Sequence, residues 1–354
     1  MPDNVNQSLF TEELAKLKSQ IDTAKLPADL LAKTEEMLGR LQRMVDTGSY
    51  SAEYDRLAHY IDWVSGLPWG IYTTDKLDIA GAAVSMNRTH YGMQEAKDRM
   101  LEYLATIKLR HDQGGETVVH APAIFLVGLV GTGKTTFAYS LAETLGRKFA
   151  RIPFGGLGSA RDLRGRSRLF PEAEPGAIVK AIKEAGSMNP IILLDEIDRV
   201  GAEERADIMG VLVELLDPTQ NNRFLDHYLD YPLDLSQVLF VATANNTTNV
   251  ATAALDRLEL IQMPSYTDEE KIHIAAEFLL PKAMKDAGLL PSQLVISPAV
   301  WPVVARPLGF DAGIRTLSRT INALTRRVAR EIVEGKAQSV TVDMNNYKSY
   351  MQAY

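Results

Sequence analysis

The sequence predicts an α/β fold: a parallel sheet with helices on both faces, preceded by a helical arm and followed by a small helical domain. Three observations carry this. Residues 128–135, Gly-Leu-Val-Gly-Thr-Gly-Lys-Thr, fit the phosphate-loop pattern G-x-x-x-x-G-K-[ST] and lie between an apolar strand-like run and a helix-like run. Strand-like and helical stretches alternate from there to about residue 263, which calls for crossover connections and parallel pairing. Both ends of the chain instead carry apolar residues at helical spacing.

From about Leu9 to Val64 the stripe runs through Leu14, Leu17 and Ile21, then Leu30, Leu31, Met37, Leu38, Leu41 and Met44. Pro27 and the turn Asp46-Thr47-Gly48-Ser49 interrupt it. This is either a partner-binding arm or a helical hairpin packed on the next domain, the commoner use of such a stripe. Ser65-Gly66-Leu67-Pro68-Trp69-Gly70 breaks the pattern, so the first unit is 1–65. The second, 66–263, holds a helix from Gln94 to Ile107, a polar loop from His111 to Thr117, and strands at Ala123–Val127, Phe149–Ile152, Ile191–Leu194, Gln237–Ala242 and Leu258–Ile261. Near Pro264 the strand signals fade. The third unit, 264–354, is expected to be mostly helical, with a long helix from Ile314 to Glu334.

With 354 residues, 46% of them hydrophobic, the chain can build two or three compact units. A net charge of -7 argues against a dominant nucleic-acid or anionic-membrane surface. The absence of cysteine removes disulfides, thiolate metal sites and a cysteine nucleophile. The start lacks a secretion signal, and no apolar run approaches the roughly 20 residues of a membrane span, so a cytoplasmic protein is expected. The six histidines lack close ligand spacing, and Ser159 lacks the glycine of a nucleophile elbow.

The chemistry is concentrated in two strings. In the loop, Gly128, Leu129, Val130, Gly131, Thr132 and Gly133 would wrap backbone N–H groups around phosphates. Lys134 would neutralise β/γ-phosphate oxygens, the Thr135 hydroxyl would hold Mg²⁺, and Thr136 opens the helix. That helix carries Phe137, Ala138, Leu141, Ala142 and Leu145 on one face and stops at Gly146. The strand Ile191–Leu194 ends in Asp195-Glu196, which brings both acids to the carboxyl end of a parallel strand, where the crevice opens. Asp195 suits the Mg²⁺ shell and Glu196 suits activation of attacking water. Alternatively, the two acids cap a helix start. Together the strings favour ATP or GTP hydrolysis. Asn245 follows the next strand and is either a water-orienting group or a turn residue.

Further strings make the resemblance specific: Leu67-Pro68-Trp69-Gly70, His90-Tyr91-Gly92, Leu193 to Asp198, Leu216-Asp217-Pro218-Thr219-Gln220-Asn221-Asn222, Asp226-His227-Tyr228-Leu229-Asp230, Thr243-Ala244-Asn245, Leu255-Asp256-Arg257 and Ala312-Gly313-Ile314-Arg315. From about Phe10 onward the chain resembles the ATPase part of Lon-type ATP-dependent AAA+ proteases. The resemblance implies an AAA+ fold with a lid domain, ATP and Mg²⁺, and a six-membered ring with ATP at subunit boundaries, acting on unfolded or damaged proteins. It assigns Asn245 as the polar sensor, Arg315 as the lid arginine that reads nucleotide state and Arg257 as the finger reaching the neighbouring site. It places His90, Tyr91 and Gly92 beside the adenine, which favours ATP over GTP.

The sequence departs from that family in three respects. Relatives continue into a peptidase domain and begin with a large substrate domain, whereas this chain stops at Tyr354 with no peptidase site. It is expected to be a fragment of a protease or a shortened relative that remodels proteins without cutting or serves a separate peptidase. The pore loop reads Phe170-Pro171-Glu172 with Glu174 beyond, keeping an aromatic at Phe170 but adding stiffness and negative charge. Leu129 and Val130 stand where prolines are common in the family. Two other classes stay open. One is a nucleic-acid-dependent ATPase, given the basic run Arg161, Arg164, Arg166 and Arg168; the other is an ATP-binding regulatory subunit with little turnover.

Overall fold

The structure, a computed structural model, describes residues 3–48, 51–113, 122–306 and 313–351. Ser49, residues 114–117 of the polar loop, His120, Ala312 and Tyr354 lie outside the described residues.

The chain opens with α1 (Asp3–Thr23), α2 (Ala28–Asp46) and α3 (Ala52–Ser65), each packed on the other two. This is a three-helix cluster rather than a hairpin, because the break after Asp46 is followed by a new N-cap at Ser51, whose hydroxyl accepts from the Glu53 N–H. The stripe Leu14, Leu17, Ile21, Leu30 and Leu41 does not close on itself. It continues through Tyr60, Ile61 and Val64 into the apolar layer on one face of the sheet. The Tyr60 hydroxyl donates to the Leu229 carbonyl at 3.1 Å, and Trp69 meets Tyr231 edge-on at 6.0 Å.

Next come α4 (Ile79–Thr89) and α5 (Gln94–Asp112). Helix α4, unexpected from the sequence, buries only Ala82 and Met86, too thin a stripe to stand out. The nucleus follows in the order β1 (Ala123–Val127), α6 (Lys134–Leu145), β2 (Phe149–Pro153), α7 (Ala160–Arg164), α8 (Ala177–Ala185), β3 (Ile191–Asp195), α9 (Arg205–Leu216), β4 (Phe224–Asp226), β5 (Tyr231–Leu233), β6 (Leu239–Ala244), α10 (Thr252–Leu255) and β7 (Leu258–Gln262). Strands β4 and β5 form a small antiparallel pair. The others form a parallel sheet in the order β2-β3-β6-β1-β7. Because successive side chains alternate across a strand, Phe125, Ile192, Leu194 and Phe240 join the layer shared with the N-terminal helices. Ile124, Leu126, Ile191, Leu193 and Val241 face the layer of α4, α5 and α6. The parallel sheet with helices on both faces is the architecture expected from the sequence.

Strand β6 lies two residues further on than the sequence suggests. Residues 234–238 instead turn, with the Ser236 N–H donating to Asp234 Oδ1 and the Val238 N–H to the Leu235 carbonyl. The chain ends in α11 (Asp268–Ile274), a π-helical turn at Ala275–Leu279, α12 (Leu280–Asp286), β8 (Leu294–Ile296), α13 (Trp301–Ala305), α14 (Arg315–Val333), β9 (Val340–Val342) and α15 (Tyr347–Tyr350). This region has its own apolar cluster around Trp301, Leu317, Ile321, Leu324 and Val328. It is not purely helical, since β8 and β9 pair in parallel. Their three-residue runs are too short to register as strands by periodicity.

Candidate active site

The strand order β3-β6-β1 fixes where the polar groups meet. Leu194 pairs with Ala242 and Val127 with Ala244, so Gly128, Asp195 and Asn245 leave neighbouring strands at the same edge. After β1 the loop turns through Gly131 (φ 83°) and Gly133 (φ 90°), left-handed backbone that suits glycine. It then enters α6 with Thr135 and Thr136 exposed. A cleft of about 430 Å³ is lined by the loop, Asp195, Glu196 and Asn245, and by Leu279, Ile314 and Arg315 from the lid. That volume lies within the range of small-molecule sites.

Side chains in the cleft are held from behind. Lys134 Nζ donates to the carbonyls of Gly128 (2.6 Å) and Leu129 (3.0 Å) and to Asn245 Oδ1 (3.1 Å). Burial lowers its proton affinity, against the pull of Asp198, Asp195 and Glu196. Asp195 Oδ1 accepts from the Thr243 hydroxyl at 2.5 Å, while Oδ2 takes Arg151 at 2.6 Å. Glu196 has left-handed backbone (φ 57°), and its N–H donates to Thr243 Oγ1. Its carboxylate meets Arg199 at 3.1 Å and is partly exposed to the cleft. A non-glycine residue in this conformation costs about 1–3 kcal/mol and persists only where its surroundings enforce it. The Asn245 N–H donates to Asp198 Oδ2 at 3.0 Å.

Other expected site residues are placed differently. His90 is buried behind the loop, edge-on to Phe137 at 5.1 Å and against Gly133. Burial, more than any other influence, pushes its imidazole down to about 4. Tyr91 stacks on the lid's His273 with ring centroids 4.0 Å apart. Neither lines the cleft. Arg257 is also outside it, bonded to Asp217. Phe170 is 58% exposed on a separate opening of about 710 Å³, beside Arg161, Arg166, Arg168 and His227. Of the basic run, Arg164 is paired with Glu214, and Arg168 lies 4.0 Å over the Tyr60 ring.

Sequence reasoning missed Arg151, Thr243 as a bridge, Asp198 and Arg319. Thr243 and Asp198 sat inside recognised strings, two residues from Asn245 and Glu196 respectively, but the strings did not say what either would contact. Arg151 and Arg319 gave no signal, since only the pairing of β2 with β3 and the docking of the lid bring them to the cleft.

The lid sits directly on the phosphate loop. The Ile314 N–H donates to the Gly131 carbonyl at 3.1 Å, and a Cβ on Gly313 would lie 2.5 Å from the Gly131 backbone. Loops converging at one end of a parallel sheet, closed by a helical lid, are the arrangement of AAA+ ATPases. Residues 124–266 match the model of the ATPase family associated with various cellular activities (AAA), and residues 285–340 match the Lon protease AAA+ ATPase lid domain. A Lon protease of Lawsonia intracellularis is 40% identical over 340 residues, covering 96% of this chain and 40% of the relative. Lon protease 2 of Thermus thermophilus is 39% identical over 346 residues (96% and 43%), and a Lon protease of Dictyoglomus thermophilum 41% over 340 residues (96% and 42%). The chain belongs to the Lon-type AAA+ ATPases and corresponds to their ATPase part. It spans about 40% of the length of the curated relatives it matches. Among the described residues, no helix is long and apolar enough to cross a membrane.

Proposed function

We propose that this chain hydrolyses ATP between neighbouring copies in a ring, with six as the expected number, and uses the cycle to unfold or translocate protein substrates. The observation that carries the reading is the meeting of Lys134, Thr135, Asp195, Glu196 and Asn245 with the lid's Arg315 in one cleft. The work would be shared among three units, 1–65, 66–263 and 264–354. In support, the last region has its own apolar cluster, although the first shares its cluster with the sheet.

The residues fit Mg²⁺. One buried carboxylate (Asp195) and one exposed hydroxyl (Thr135) form an all-oxygen donor set that leaves places for water and phosphate, as this ion prefers. The ion would neutralise phosphate charge. Lys134 is already on three acceptors and would exchange them for phosphate oxygens. Glu196 would take a proton from water that Asn245 helps orient, and Arg315 would report phosphate occupancy to the lid. His90 would support the loop from behind, and Tyr91, stacked on the lid's His273, would flank the adenine. Phe170 would grip peptide.

Arg161 and Arg166 keep a nucleic-acid-dependent ATPase as the second reading, favoured by their opening beside Phe170. Stimulation of turnover by DNA but not by an unfolded protein would select it. The decisive experiment is Glu196→Gln, expected to retain nucleotide affinity while hydrolysis falls at least about 10²-fold. Undiminished turnover in that variant would remove Glu196 from its role, and a wild-type chain without turnover would leave a regulatory nucleotide binder.

A further inference from the structure

The string Leu216 to Asn222 lies outside the cleft, yet it is built around Arg257. Helix α9 ends at Leu216; at Asp217 the backbone becomes extended, and Pro218 prevents continuation of the helix. The chain then folds back, with the Gln220 and Asn221 N–H groups donating to the Asp217 carbonyl at 3.0 and 2.9 Å. Asn221 is buried and ties the turn to the domain through its Nδ2 bond to the Leu215 carbonyl. The Asp217 side chain is saturated. Oδ1 accepts from the Thr219 N–H (2.9 Å) and hydroxyl (2.6 Å), and Oδ2 accepts from Gln220 Nε2 (3.0 Å) and from Arg257 Nη2 (2.9 Å) and Nε (3.2 Å). The Thr219 hydroxyl, the Arg257 guanidinium and the Thr219 N–H hold this carboxyl far below the usual carboxylate range. Arg257 Nη1 donates in turn to the Ala253 carbonyl at 2.7 Å. The guanidinium is thus held at all three nitrogens, with one N–H on each Nη left unused. Part of its five-donor fork remains available, and 31% of the side chain is exposed.

We propose that Asp217 is the positioning residue for Arg257, holding the guanidinium so that its unused N–H groups are presented to the nucleotide of the neighbouring copy. This deepens the function proposed above and rests on the in-trans role of Arg257. An untethered arginine would have to be ordered in the reacting state. A cradle built beforehand removes that cost, as preorganised electrostatic groups do. The alternative is an ordinary partly exposed ion pair, which contributes little to stability and nothing to turnover.

The test compares the wild-type chain, Asp217→Asn, Arg257→Ala and the double variant at concentrations where each assembles, reading kcat and KM for ATP and the affinity for a fluorescent ATP analogue. Asp217→Asn keeps the side chain's size but removes its charge. It should lower kcat about 10²-fold, as a misplaced catalytic group does, with KM and analogue affinity within about twofold. The double variant should be no slower than Arg257→Ala alone, because the residues act as a unit. Mixing Asp217→Asn with Glu196→Gln should restore turnover as mixing Arg257→Ala does. Wild-type kcat in Asp217→Asn, multiplied losses in the double variant, or loss of analogue binding with turnover would each overturn the proposal and leave Asp217 a structural role at most. If Arg257→Ala itself turns over normally, the in-trans reading falls, and the cradle with it.

Discussion

His90 shows how a single residue's surroundings become measurable. Its imidazole is buried between α6 and the loop, and its folded value of about 4 lies below the ordinary 6.5. Between those values the unfolded chain binds a proton that the folded chain does not. Stability is therefore intact above pH 6.5 and falls as the pH drops towards 4, by up to about 1.4 kcal/mol per pH unit. Thermal melts of the wild-type chain and His90→Gln across this range test it. The variant should show a shallower dependence, and equal slopes would remove His90 as the source. Asp195 shows another side of the same scale, because its buried carboxylate is countered by Arg151 and aligned by Thr243. The acid was legible from its place after an apolar strand. Its partners were not, since they come from residues 44 positions earlier and 48 later.

At the scale of elements, the lid and the phosphate loop meet backbone to backbone. The approach requires glycine on both sides, at Gly131 for its turn and at Gly313 for lack of space. Gly313→Ala is expected to push the start of α14 off the loop at a cost of about 1–3 kcal/mol, typical of overpacking. Nucleotide titration should then show affinity weakened by about tenfold or more. Unchanged affinity would mean that lid and loop are not coupled through this contact. Helix α6 and the five strands of the parallel sheet were legible because each has a strong period or an apolar run. Strands β4, β5, β8 and β9 were not, since three residues carry no period and acquire meaning only when a partner strand lies alongside.

For the whole molecule, the separation of Arg257 from the cleft in its own chain makes assembly part of the proposed activity. Specific activity should rise with protein concentration and level off once rings form, as followed by light scattering beside an ATPase assay. Arg257→Ala and Glu196→Gln should each be nearly inactive alone. Mixed in equal amounts they should recover about a quarter of wild-type turnover, the chance that an intact Glu196 faces an intact Arg257 across an interface. Activity that is independent of concentration and shows no recovery on mixing would place the complete site within one chain.

The amino-acid sequence alone determined the local matters: a phosphate loop between strand and helix, acids ending an apolar strand, and the alternation that requires a parallel sheet. These depend on residue type and spacing over a few positions. Tertiary structure decided what stands behind those residues and where they stop. It buried His90, set Arg151 against Asp195, laid the lid on Gly131 and kept Arg257 with Asp217 outside the cleft. Such contacts join side chains from distant parts of the chain, and a spacing rule cannot reach across a fold whose strand order it does not contain.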